Sequence, residues 1–77
     1  MPKIRLGDTV LFHFGPDEDV SAYNNSRTHP ATVVAVWSDD CVNLKVTPDG
    51  KAHSIWETSV NRSAIVDGQI TRGFSLR

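Results

Sequence analysis

Three histidines, His13, His29 and His53, and a single cysteine, Cys41, are the side chains of this 77-residue chain best suited to hold a metal or to act as base and nucleophile. Zinc takes four nitrogen or sulfur ligands, and most such sites include a close pair on one turn. These four residues are scattered, with no Cys-x-x-Cys or comparable pair. No metal and no cofactor is expected. A Cys41–His53 pair on neighbouring strands would be a nucleophile–base arrangement that composition permits, yet a chain this short offers little pocket to exclude water. There is no nucleophile elbow, phosphate-cradling glycine loop or paired-carboxylate motif. The expectation is that the protein is not an enzyme.

Recognition chemistry is better represented. Tyr23, Arg27 and His29 fall in or beside a polar stretch, and aromatic rings give large contact area at low entropy cost. Trp37 closes the most apolar run and is expected in the core; Trp56 is open between core and surface. Tyr23, Arg27, His29 and Trp56 are therefore the expected protein-binding residues. A second set, Arg62, Arg72 and Lys45, with Lys51 and Arg77 beside it, could form a basic strip for phosphates. Its ordinary alternative is scattered surface charge. Asn24-Asn25-Ser26 and Asn61-Arg62-Ser63 match the glycosylation pattern, but without a signal peptide they carry no meaning.

The elements that would position these residues read as strands. Gly7-Asp8 is a turn pair before Thr9–Phe14, where Val10, Phe12 and Phe14 alternate onto one face and His13 points the other way. Gly15-Pro16 ends that run. A long polar stretch follows from Gly15 to Pro30, and loops of such length in small domains are often functional. Its alternative is a solvated connection. Ala31–Trp37 is nearly continuous apolar sequence, as expected of a strand covered on most of both faces. Ser38-Asp39-Asp40 turns the chain into Cys41–Val46, with Val42, Leu44 and Val46 inward and Cys41, Asn43 and Lys45 outward. Thr47-Pro48-Asp49-Gly50 is a second turn. Lys51–Glu57 reads as a fourth strand and Thr58–Ser63 as a helical turn or tight loop. Asp67-Gly68 between short apolar runs signals a hairpin in the tail, residues 63–77, which is otherwise partly flexible.

Length allows one domain, 1–77, and no helical periodicity or repeat is present. The expected fold is all-β: a small SH3-like five-stranded barrel with a long loop after the first strand. An open antiparallel sheet that dimerises is the runner-up. One cysteine excludes an internal disulfide and agrees with a reducing compartment. The N-terminal residues hold no apolar run of signal-peptide length and no stretch approaches a membrane span, so a cytoplasmic protein with no membrane contact is expected. A net charge of −1 excludes a strong global pull toward nucleic acid.

The runs His29-Pro30-Ala31-Thr32-Val33-Val34-Ala35-Val36-Trp37, Cys41-Val42-Asn43-Leu44-Lys45-Val46 and Trp56-Glu57-Thr58-Ser59-Val60, with the opening Gly7-Asp8-Thr9-Val10, resemble small proteins encoded in phage and prophage genomes. The resemblance spans roughly Gly7 to Val60 and implies a phage origin and host-cell cytoplasm; it supplies no mechanism. Gly-Asp-x-Val before valine-rich strands is also similar to KOW and Tudor-type barrels. The expected function is a non-enzymatic phage accessory module that binds a host or phage protein, or another copy of itself, through the long polar loop. Its alternatives are a KOW- or Tudor-like nucleic-acid binder and sequestration of a small nucleotide-type ligand.

Overall fold

A computed structural model of the chain describes residues 3–76. Five strands, β1 (Thr9–His13), β2 (Thr28–Ser38), β3 (Cys41–Val46), β4 (Ile55–Asn61) and β7 (Gly73–Leu76), form one antiparallel sheet in the order β4-β3-β2-β1-β7. A separate two-stranded hairpin, β5 (Ile65–Val66) and β6 (Gln69–Ile70), precedes the last strand. The only helical turn among the described residues is a 3-10 turn at Ser21–Tyr23. No helix among the described residues is long and apolar enough to cross a membrane. The chain is all-β.

One face of the sheet holds the core. Val10 and Phe12 from β1, Ala31 and Val33 from β2, Val42, Leu44 and Val46 from β3, Val60 from β4 and Phe74 from β7 are all buried, with Ile4, Phe14 and Val20 closing the ends. The sheet curls over this face, and its two edges approach where Arg62 bridges Phe74. Two register shifts in β2, at Val33/Ala35 and Val36/Ser38, supply much of the bend, because each extra residue raises local twist.

Those bulges also correct the reading of β2 as covered on both faces. His29, Ala31 and Val33 alternate inward while Pro30 and Thr32 are exposed, and past the bulges Val36 and Trp37 are exposed too. Trp37, expected in the core, is 66% exposed. The phase shift carries it onto the outer face, away from the buried side chains.

The fourth strand is displaced from its expected place. Lys51–Ser54 belong to the connection, and the strand runs through Thr58–Asn61, where a helical turn was expected. A bulge explains the difference: register jumps from Leu44↔Glu57 to Val42↔Val60, and Ser59 takes φ 51° to absorb the extra residues. The Asp67-Gly68 hairpin forms as expected. Both turn residues have positive φ, 52° and 77°, the type I′ geometry that matches strand twist.

Candidate functional site

The long loop is shorter than the sequence suggests and tightly tied. Thr28–Pro30 already belong to β2. Tyr23 is half-buried, its ring stacked on Phe14 with centroids 5.0 Å apart, and Lys51 Nζ lies 5.9 Å from its centroid. Arg27 donates through Nη1 to the carbonyl oxygens of Gly15 (2.6 Å) and Glu18 (3.0 Å). The Glu18 carboxylate accepts from the Gly15 amide. Asp19 accepts from the Ser21 amide at 2.9 Å, and its carboxyl is held below the ordinary range by that bond first, then by the Ser21 side chain, with a smaller pull from Arg27.

His29 corrects the sequence reading outright. It is 2% exposed, edge-on to Phe14 and Tyr23, and bonded on both ring nitrogens: Nε2 to the Ser26 carbonyl (2.8 Å), Nδ1 to the Asp49 amide (3.2 Å). A carbonyl can only accept and an amide only donate, so the proton sits on Nε2. This ring joins the loop to the β3–β4 turn and presents nothing to a partner. Of the four residues expected to bind protein, only Trp56, 64% exposed, stands open on the surface without an internal role.

The basic strip is largely neutralised. Arg62 pairs with Asp40 at 3.0 Å and lies over the Phe74 ring; Arg72 pairs with Glu57 (2.8 Å) and Glu18 (3.2 Å) and lies over Phe12. Arg77 lies outside the described residues. Lys45 is exposed and has no carboxylate at ion-pair distance among the described residues. Cys41 opens β3, while His53 lies in the connection beyond the other end of that strand, roughly 16 Å of strand away. The two are not brought together.

What the fold assembles instead is a patch on the outer face of β2, β3 and β4. Lys45 is the cross-strand neighbour of Trp56 on one side and Thr32 on the other. Two residues along, Asn43 is its same-face companion. The Trp37 indole Nε1–H donates to Asn43 Oδ1 at 2.9 Å, and the bulged Ser59 amide donates to the same oxygen at 2.8 Å. Trp37, Asn43, Lys45 and Trp56 therefore share one surface, with two-thirds-exposed indoles at its ends. The two tryptophan backbones are two strand spacings apart across the sheet and three to four residues apart along it, roughly 15 Å.

A second concave region lies at the β5–β6 hairpin. His13 forms its floor and Ile70 its wall, between cavities of about 420 and 300 Å³. His13 faces outward as expected, yet it is buried, because the hairpin stands over it. Its Nδ1 lies 3.0 Å from Thr28 Oγ1 and its Nε2 lies 2.7 Å from Ser75 Oγ. The Ser–His contact has the length of a nucleophile–base pair, but the group behind the imidazole is a hydroxyl where a carboxylate would stabilise the imidazolium. The arrangement clamps β1 to β2 and β7.

No family model, curated protein or solved structure matches this chain. The outer face must be read from its own chemistry.

Proposed function

We propose that the protein is a non-enzymatic binding module that engages a protein partner through the outer face of β2–β4. The observation that carries this is the pair of tryptophans, Trp37 and Trp56, each about two-thirds exposed on one sheet face beside Lys45. Exposing that much indole is unfavourable in water, and tryptophan anchors dominate the energetics of protein interfaces. The strand order with a long loop after β1 supports an SH3-like barrel as the architecture. The resemblance to small phage and prophage proteins supports an accessory role in the host-cell cytoplasm. A domain of 77 residues has little core, which supports self-association as one form of partnership.

The nucleic-acid reading is weaker. Two of its three residues, Arg62 and Arg72, are held by carboxylates, and phosphate binding draws its strength from several unpaired cations. The test is affinity capture from host lysate with the parent and with Trp37→Ala and Trp56→Ala, followed by salt titration of the recovered complex. A protein retained by the parent and reduced at least tenfold with either variant, with affinity changing less than threefold between 50 and 200 mM salt, is the expected result; loss on the order of 10³ over that range would instead identify a phosphate backbone. Equal capture by all three proteins would remove the outer face from consideration.

A further inference from the structure

Asn43 is about nine-tenths buried, and both donors that reach it, the Trp37 indole and the Ser59 amide, bond to Oδ1. Neither donor can accept a hydrogen bond, so the amide has one orientation: oxygen toward Trp37 and Ser59, nitrogen away. Nδ2 therefore carries two N–H donors with no acceptor of the described chain within hydrogen-bond distance. It is not sealed in the core, since among the described residues no fully buried side-chain polar atom lacks a partner. A mostly buried amide whose Nδ2 donors find no acceptor among the described residues, on the sheet face that carries both exposed indoles, is a positioned donor for an outside group.

Resting on the binding face proposed above, we infer that Asn43 Nδ2 donates to a main-chain carbonyl of an extended peptide segment laid from Trp37 to Trp56. Three observations select this occupant. The roughly 15 Å between the tryptophan backbones is the reach of four to five residues of extended chain, which displays carbonyls along its length. Apolar side chains four residues apart, on the same face of such a segment, would rest on the two indoles. Lys45, with no ion-pair partner among the described residues and cross-strand from Trp56, adds a point charge that favours an acidic residue in the segment. Among the described residues this face offers one cation outside an ion pair, too few for a nucleic-acid strand of matching length. The bulge at Ser59 is what makes the site: its positive φ turns an amide out of the β3–β4 ladder to hold Asn43 in place.

The experiment is selection of random dodecapeptides displayed on phage against the immobilised full chain, with synthetic copies of the selected sequences titrated against parent, Trp56→Ala and Asn43→Asp. Asn43→Asp retains an oxygen for Trp37 and Ser59 but exchanges the donor for a second acceptor and a negative charge, so the amide-proton readout below is what separates loss of the donor from the effect of charge. The expected result is binding to the parent with at least tenfold weakening by both variants. In the parent, the Asn43 side-chain amide protons move downfield in NMR as peptide saturates, a readout that survives if Asn43→Asp does not fold. Peptides that bind Asn43→Asp as tightly as the parent, with those resonances unmoved, overturn the role of Asn43 while Trp56→Ala still reports on the face. Peptides indifferent to Trp56→Ala, or no peptides at all, overturn the face as well. A (dT)12 arm that competes with the selected peptides, and is itself insensitive to Asn43→Asp, would give the site to single-stranded nucleic acid.

Discussion

His13 is a residue whose charge the fold works against. Burial beneath the β5–β6 hairpin lowers its pKa from the ordinary 6.5, because leaving water penalises the imidazolium. Thr28 and Ser75 face it from the neighbouring strands and carry no charge to offset that penalty, and Arg27, across the cleft, is itself a cation and cannot offset it. Below pH 6.5 the unfolded chain therefore binds a proton that the folded chain resists. The stability tied to neutral His13 is full above the unfolded value and falls as pH drops through it toward the lower folded value. Thermal melts between pH 7.5 and 5 are expected to show this decline, at most about 1.4 kcal/mol per pH unit, and His13→Gln should flatten it. A decline of equal steepness in His13→Gln would assign it to other groups. Residues of this kind are hard to recognise in sequence. Alternation placed His13 on the outer face correctly, but its cover comes from a hairpin some fifty residues away. Asn43 was equally hidden, being an outward polar residue like any other until Trp37 and Ser59 converge on it.

Elements were legible where local chemistry decides them. The Asp67-Gly68 turn, the Pro48–Gly50 turn and the alternation of Cys41–Val46 all follow from backbone preference and period, and all appear where expected. Bulges were not legible, because an extra residue leaves no signature when the neighbouring side chains are valine or serine. The misplacement of Trp37 and of the fourth strand both trace to them. The approach of the sheet's two edges also rests on a local device. Gly73 has φ 153°, and a Cβ there would run into the Asn61 carbonyl oxygen and lie 2.7 Å from the Ser63 amide nitrogen. Gly68 has φ 77° with nothing within 4 Å of such a Cβ. Alanine at Gly68 therefore meets only backbone strain, about 1 kcal/mol. Alanine at Gly73 must also push β7 away from the end of β4, and a loss of at least ~2 kcal/mol is expected. Urea midpoints of the two variants decide the point. If Gly73→Ala is no worse than Gly68→Ala, the two edges of the sheet do not depend on that close approach.

For the whole molecule, a small core and an exposed aromatic face make opposite demands, and substitutions should separate them. A domain of this size holds roughly 4–12 kcal/mol of net stability. Phe74 is fully buried on the last strand, beside Phe12, under the Arg62 guanidinium, and its carbonyl accepts from Ser63. Phe74→Ala removes a large ring where the chain's end joins its beginning, and such truncations cost about 3–5 kcal/mol. In a chain this short that corresponds to a fall in Tm of roughly 15–30 °C, enough to leave a substantial unfolded fraction at physiological temperature. Trp56, by contrast, has two-thirds of its surface in water, so Trp56→Ala should alter stability by no more than about 0.5 kcal/mol while removing partner binding. Calorimetry on the two variants beside a binding assay makes the comparison. A Trp56→Ala protein that melts as low as Phe74→Ala would mean the indole is a structural cover for the sheet, and the outer face would lose its claim to recognition.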